Sequence, residues 1–260
     1  MEAMNSRRHA LAACVLGALG MFAGHSANAD DQAKVTQSIT LNADSAESQA
    51  DEKKVMDAVV QIRAGKIQQS IDGPLTEVVD RYEKRYAANS GTVFSARGPA
   101  LGLLYMAEVA ARRAPGESGS ATDVGPAWAM AYWARGYGYS EMNRFKDAEV
   151  ELKKAIALSP RDAQYATELA YVYQMEGRFA ESLALFASVP GLLDTMDGWG
   201  EAEKKEFHCK SLRGQGYDLV ELKRFDEAEE AYKACIALMP GEPKSLAELE
   251  YIRGLRAKRP

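Results

Sequence analysis

The sequence has little histidine and little cysteine. Of its 260 residues three are histidine and three are cysteine, and two of the histidines lie within the first 29 residues. The one remaining histidine, His208, is expected on a helix surface, which argues against His-based triads and histidine metal sites. Sequence motifs for a nucleophile elbow, a phosphate-binding loop or a C-x-x-C pair are also missing. We therefore predict no enzyme, no cofactor and no metal, and a carboxylate hydrolase is the least favoured alternative.

Long apolar runs are missing after the amino terminus. There, Arg7 and Arg8 precede an apolar run over residues 11–22, which is too short to span a bilayer. A small-residue A-x-A site ends at Ala29, so we predict a signal peptide over 1–29 and export to a bacterial periplasm. Two alternatives are a lipoprotein with Cys14 acylated and a retained membrane anchor.

An excess of positive charge is missing as well. The chain has 32 Lys and Arg against 37 Asp and Glu, a net charge of −5. Removing the predicted leader takes away Arg7, Arg8 and Glu2, which together carry +1, so the exported chain has a net charge of −6. An acidic chain argues against nucleic acid as a partner. No stable membrane insertion is expected after cleavage.

What the chain does contain is a repeat. Residues 129–160 predict two helices joined by a short turn, with apolar residues at helical spacing and Pro160 as the stop. The pattern recurs after 34 residues and again after 80, which is two periods and twelve more residues. The turn itself repeats as Asn-Arg-Phe, Gly-Arg-Phe and Lys-Arg-Phe. Three copies in phase indicate a repeat architecture.

The residues at these positions resemble the tetratricopeptide repeat. The resemblance rests on Tyr132, Gly136, Tyr139, Ala148 and Pro160 in the first copy, and it implies repeats at about 129–162, 163–196 and 209–242. The sequence departs from the usual tetratricopeptide pattern at Arg135, Ala170, Ser182, Asp194 and Gln215. The implied fold is all-α, a right-handed helical solenoid with an N-terminal helical extension. A capping helix over 243–258 would close the domain 126–260 and present a polar outer face that includes Lys244 and Glu248.

The region before the repeats is less regular. We predict a disordered lead over 30–50, in which residues 35–42 alternate like a strand but have no partner. A helical region follows over 51–114, with a break at Asp72-Gly73-Pro74. It is either a set of degenerate repeats or an N-terminal cap. A loop is predicted over 115–125.

The resemblance also implies a concave groove lined by the first helix of each repeat. Its ninth position holds a tyrosine in all three copies, and its second and fifth positions supply one tryptophan and two cations. We predict partner-binding residues Trp133, Tyr137, Tyr171, Tyr217, Lys210 and Arg213. The alternative is that the tyrosines only pack between neighbouring helices. Repeats that clamp a carboxylate tail have Asn where this chain has Tyr137 and Tyr171, so that clamp is not expected.

Cys209 and Cys235 occupy the two ends of the third repeat that lie side by side in an antiparallel helix pair. An exported protein meets an oxidising environment, so we predict a disulfide candidate here. The alternative is two buried thiols.

The resemblance implies a non-enzymatic scaffold or adaptor that binds a peptide or helix of a protein partner. For an exported chain, we expect a role in envelope assembly or secretion. A folding helper or a small-ligand-binding module is the alternative.

Overall fold

The computed structural model describes residues 37–41, 45–112, 114 and 119–257. The predicted leader, Cys14 included, lies outside these ranges. In chain order the helices are α1 (Ala46–Arg63), α2 (Ile67–Ser70), α3 (Thr76–Tyr86), α4 (Pro99–Ala111), α5 (Ala127–Glu141), α6 (Phe145–Leu158), α7 (Ala163–Met175), α8 (Phe179–Leu193), α9 (Glu201–Glu221), α10 (Phe225–Leu238) and α11 (Pro243–Ala257). The strands are β1 (Gln37–Leu41), β2 (Thr92–Phe94) and β3 (Gly119–Asp123). No helix in the described ranges combines the length and apolar character of a membrane span.

The three predicted repeats are the helix pairs α5–α6, α7–α8 and α9–α10. Each pair is joined by the same turn, whose middle residue has a positive φ: 57° at Asn143, 71° at Gly177 and 63° at Lys223. In the first of these turns the N–H of Arg144 donates a hydrogen bond to the carbonyl of Tyr139 at 2.9 Å, and the other two turns have the same bond. The predicted all-α solenoid is confirmed for this part of the chain.

Small residues let the two helices of a pair approach closely. A Cβ atom added at Gly136 would lie 2.6 Å from Cγ of Leu152, and one at Gly216 would lie 2.5 Å from the ring of Tyr232. Real Cβ contacts are not that short, so these two positions accept glycine alone unless the side chain of Leu152 or Tyr232 moves. This close packing explains why glycine recurs at the same phase of the repeat.

A fourth helix pair of the same type precedes the three repeats. Helix α1 ends at a turn where Gly65 has φ of 84°. The N–H of Lys66 bonds to the carbonyl of Gln61 at 2.9 Å, as in the other three turns. The shared turn favours the degenerate repeat over the cap. The helix predicted to run from 51 to 70 is therefore interrupted, because Gly65 supplies the left-handed conformation that the turn requires.

The break predicted at Asp72-Gly73-Pro74 is wrong. The chain instead continues from α2 to α3 through a π-helical turn, Ile71–Leu75. Pro74 has no N–H to donate to the preceding turn, and a wider turn accommodates it. The hydroxyl of Thr76 donates to the carbonyl of Ile71 at 2.7 Å and satisfies that acceptor.

The helix pair that precedes the three repeats packs on them. Val59, Leu75 and Val79 belong to the same buried cluster as Trp128 of α5. The rings of Tyr82 and Trp128 stack with centroids 5.7 Å apart. Helices α1 and α3 thus share a hydrophobic core with the repeats, whereas Leu101 and Tyr105 of α4 belong to a separate cluster with Phe94.

A small parallel sheet interrupts the helices, in the order β1-β3-β2. Gln37 pairs with Gly119, and Thr92 pairs with Ala121. Two predictions therefore need correction: within the lead expected to be disordered over 30–50, residues 37–41 form a strand and α1 begins at Ala46, and part of the loop predicted over 115–125 is β3. The strand at 37–41 does have a partner, but it comes from about 80 residues away.

The twelve-residue insertion before the third repeat also supports the N-terminal region. Helix α9 begins early, at Glu201, and so includes the second half of the insertion. A carboxylate oxygen of Asp197 accepts hydrogen bonds from the N–H groups of Ala100 at 2.9 Å and Leu101 at 3.3 Å. The insertion therefore caps the first turn of α4.

Candidate partner-binding groove

The three repeat tyrosines lie on one face of the array. Tyr137 on α5, Tyr171 on α7 and Tyr217 on α9 line a single cavity of about 560 Å³. Tyr171 is 42% exposed and Tyr217 is 45% exposed, whereas Tyr137 is half-buried. Such exposure is unusual for large aromatic side chains that serve packing alone. The cavity also includes Lys210 and Arg213, so five of the six predicted residues come together.

Trp133 does not join them. It is only 5% exposed, and its ring stacks on Tyr137 at 6.1 Å and on Tyr165 at 6.3 Å. Arg97 lies over the Tyr165 ring, 5.4 Å from its centroid, and pairs with buried Asp162 at 2.8 Å. The prediction that Trp133 forms one end of the groove is wrong, because its ring is buried against those of Tyr137 and Tyr165.

The two predicted cations are already paired. Lys210 Nζ lies 3.4 Å from Glu168, and Arg213 Nη1 lies 3.4 Å from Glu242. Arg213 Nη1 also lies 3.6 Å from Sγ of Cys209. Their charges are therefore largely compensated within the chain.

Several cavity residues were not among those predicted. Glu168, Gln174, Phe186, Gly214 and Tyr232 also line the cavity. The sixth and twelfth positions of the first helix also face inward in tetratricopeptide arrays, so the repeat spacing alone could have identified Glu168 and Gln174. Phe186 and Tyr232 belong to second helices and form the floor, which the spacing does not single out.

Helix α11 is a fourth groove helix and not only a cap. The N–H of Glu242 bonds to the carbonyl of Met239 at 3.1 Å, matching the bond from Asp162 to Ser159 before α7. Lys244 and Glu248 line the cavity, so their assignment to a polar outer face is wrong. Tyr251, 34 residues after Tyr217, occupies the ninth position of this helix and is 55% exposed.

A buried carboxyl lies beside the cavity floor. Asp218 is fully buried, and its Oδ1 accepts a hydrogen bond from Nε2 of Gln174 at 3.0 Å. Its Oδ2 has no hydrogen-bond partner in the described ranges. Burial raises the pKa of Asp218 to about 6, although the hydroxyl of Ser182 and the amide of Gln174 act in the opposite direction.

The two cysteines of the third repeat are adjacent. The structure pairs Cys209 and Cys235 as a disulfide, with Cα atoms 4.5 Å apart. Glu242 lies within 4.8 Å of both sulfurs, but its carboxylate already accepts from the N–H of Ser245 at 2.6 Å. In the disulfide form neither sulfur offers a thiolate to a metal. The bond in the protein stays a prediction that thiol chemistry can test.

His208 is half-buried on α9, and burial lowers its pKa. Its carbonyl accepts from the hydroxyl of Ser211 at 2.7 Å, a bond within the helix. We therefore assign His208 a structural role.

The family model of the tetratricopeptide repeat matches residues 129–162 and 216–241. The chain carries tetratricopeptide repeats. The first match coincides with the first predicted repeat, and the second lies within the third. The copy over 163–196 is not matched, but it has the same helix pair and turn.

Solved structures with tetratricopeptide domains also resemble this chain. The N-terminal domain of stress-induced protein-1 from C. elegans is 18% identical, with a TM-score of 0.42 over 48% of this chain and 94% of that one. The second such domain of human RPAP3, in complex with an HSP70 peptide, is 20% identical, with a TM-score of 0.41 over 48% and 94%. MamA from AMB-1 is 15% identical, with a TM-score of 0.47 over 80% and 84%. Because each score is below 0.5, these likenesses carry no functional conclusion. No curated protein matches the sequence.

Proposed function

We propose that this protein is a non-enzymatic interaction module whose groove binds a peptide or helix of a protein partner. The observation that carries the proposal is the cavity shared by Tyr137, Tyr171 and Tyr217, which come from three different helices. Tyrosine offers a large contact area and few rotors to restrict, and it is common in binding hot spots. The exposure of Tyr171 and Tyr217 supports binding, whereas Tyr137 also serves packing.

The groove is not proposed to clamp the carboxylate tail of a partner. Lys210 and Arg213, the cations that such a tail would need, are paired with Glu168 and Glu242. Breaking two partly buried pairs would offset much of the gain from a new carboxylate.

A test of the groove compares matched truncations of exposed side chains. The immobilised exported chain is mixed with an envelope extract, and the amount of each retained protein is measured by mass spectrometry. Tyr171→Ala with Tyr217→Ala should lose one or a few partners by at least tenfold. Val150→Ala removes a side chain that is 54% exposed on α6, outside the cavity, and should retain them. Equal retention by all three proteins would contradict the proposal.

A small ligand is the second candidate, because the cavity volume of about 560 Å³ falls within the range of roughly 300–1,000 Å³ that small-molecule sites occupy. Native mass spectrometry of protein purified from its own cells tests it. A bound mass that disappears in Tyr171→Ala would favour this candidate over a peptide.

Export to the periplasm, with a role in envelope assembly or secretion, is part of the proposal. It is supported by the A-x-A site that ends at Ala29, after Arg7, Arg8 and the apolar run. Intact-mass measurement of the chain from whole cells should show an amino terminus at Asp30. A chain that keeps residues 1–29 would contradict it.

A further inference from the structure

Tyrosine rings outside the groove are repeatedly covered by the chain's own cations. Arg178 lies 3.8 Å from the centroid of Tyr173, Arg144 lies 4.5 Å from that of Tyr139, and Lys154 lies 5.0 Å from that of Tyr132. In the part of the chain that the structure describes, no such contact is made to Tyr171, Tyr217 or Tyr251. The exposed parts of Tyr171 and Tyr217 are therefore open to a cation from outside, although the ring of Tyr217 also contacts that of Phe179, with centroids 6.1 Å apart.

Carboxylates stand beside one of these uncovered rings. Glu221 follows Tyr217 by one helical turn, and Glu248 shares the cavity with Tyr217 from α11. Both carboxylates act on the Tyr217 hydroxyl: burial raises the pKa of Tyr217, and their negative charges raise it further. Within the described ranges neither Glu221 nor Glu248 forms an ion pair.

The same arrangement occurs in the first repeat, where the chain fills it with its own arginine. Glu141 follows Tyr137 by one turn, as Glu221 follows Tyr217. Burial and the charge of Glu141 raise the pKa of Tyr137, and the guanidinium of Arg63 on α1 lowers it. The first Tyr-x-x-x-Glu position thus holds an internal guanidinium, while the position at Tyr217 has none.

The cations of the cavity do not compensate these carboxylates. Lys210 and Arg213 are held by Glu168 and Glu242, each at 3.4 Å. Lys244 is exposed at the start of α11, one helical turn before Glu248. Two carboxylates and one lysine near Tyr217 are thus outside the ion pairs of the described residues, and their net charge is negative.

We propose that the partner places an arginine or lysine side chain on the ring of Tyr217, between Glu221 and Glu248. This inference rests on the proposed function, because it names the chemistry of the segment that the groove binds. The cation would lie against the exposed part of the ring and pair with the two carboxylates. The net charge of −5 would also speed the approach of a basic segment at low salt.

The experiment uses three fluorescein-labelled dodecamers on an alanine-serine-leucine background, with four arginines, four glutamines or four glutamates at the same positions. Fluorescence anisotropy measures their affinity for the exported chain at 50 mM and 300 mM salt. The arginine probe should bind about tenfold more tightly than the glutamine probe, with the glutamate probe weakest, and added salt should reduce the difference.

Variants of the exported chain identify the site. Glu221→Gln with Glu248→Gln should remove most of the preference for arginine, while Glu181→Gln, on the N-terminal turn of α8 outside the cavity, should leave it unchanged. Tyr217→Phe keeps the ring and should bind like wild type, whereas Tyr217→Leu should weaken the arginine probe several-fold. Circular dichroism of each variant checks folding.

Three results would overturn the inference: equal or tighter binding of the glutamine or glutamate probe, no effect of the double glutamine variant, and no binding of any probe at 1 mM protein. Tighter binding of the glutamate probe that still depends on Tyr171 would leave the proposed function standing and refute only the cationic partner. Loss of tyrosine dependence in the capture experiment would refute the groove itself.

Discussion

Replacing Asp218 by asparagine should stabilise the protein at neutral pH. In the folded chain the carboxyl is fully buried, and its pKa is raised to about 6 from the ordinary value of 3.8. The folded state therefore binds the proton more tightly than the unfolded state. Stability from this group is present below pH 4 and is lost as pH rises through 6. The difference in pKa of about 2 corresponds to a cost of at most about 3 kcal/mol at pH 7.5.

Asparagine keeps the useful contacts of Asp218. Its Oδ1 can still accept from Nε2 of Gln174, now at 3.0 Å, and its Nδ2 can donate to the nearby hydroxyl oxygen of Ser182. We expect Asp218→Asn to raise the free energy of unfolding by roughly 2–3 kcal/mol at pH 7.5 and to change it little at pH 4. The melting temperature should rise by about 4–12 °C at the higher pH.

The assay is thermal and urea unfolding followed by circular dichroism at both pH values. Asp57→Asn is the control, because this carboxylate lies on the surface of α1 in an ion pair with Lys53 and should contribute less than about 1 kcal/mol at either pH. Because each variant is compared with wild type at the same pH, the contributions of the other titrating groups to the free energy of unfolding cancel. A loss of stability at pH 7.5, or an equal gain at both pH values, would refute the reasoning.

Other predictions concern packing, the disulfide and a helix cap. Gly216→Val should cost about 2 kcal/mol or more, because its Cβ would meet the Tyr232 ring, whereas Gly254→Ala in open space on α11 should gain up to about 1 kcal/mol; urea unfolding measures both. Protein unfolded in urea without reductant should give no thiol reaction at Cys209 or Cys235, and Cys235→Ser should lower stability by about 3 kcal/mol; two reactive thiols in the unfolded, unreduced chain would end this assignment. Asp197→Ala should speed hydrogen exchange at the first amides of α4 by about fivefold, a cost of about 1 kcal/mol; unchanged exchange would show that the cap contributes nothing.

Periodicity predicted the repeats well because each copy of a repeat makes the same local contacts at the same positions. The 34-residue spacing, with the twelve-residue insertion before the third copy, places each turn at the same phase, as the positive φ angles of Asn143, Gly177 and Lys223 show. Once the turn is fixed, the ninth position follows, and Tyr171 and Tyr217 lie on one face. The same spacing applied once more leads from Tyr217 to Tyr251, but the polar residues of α11 were interpreted as the outer face of a cap.

Other features depend on contacts between distant segments, which no local pattern reports. Trp133 occupies a groove position, but its ring is buried against that of Tyr165, over which Arg97 from the segment before α4 lies. The partner of β1 is β3, which lies in a Gly-Ser-rich stretch whose composition predicts a loop. Pairing of Lys210 and Arg213 with carboxylates from α7 and from the turn before α11 likewise depends on the tertiary arrangement.

Site-specific photo-crosslinking in living cells tests the central claim most directly. A photoreactive residue replaces Tyr171 in the groove or Glu181 at the start of α8, and crosslinked proteins are identified by mass spectrometry. The account predicts one dominant partner from Tyr171, crosslinked through a segment that contains arginine or lysine, and none from Glu181. A product from Glu181 alone would contradict the account and assign binding to the outer face.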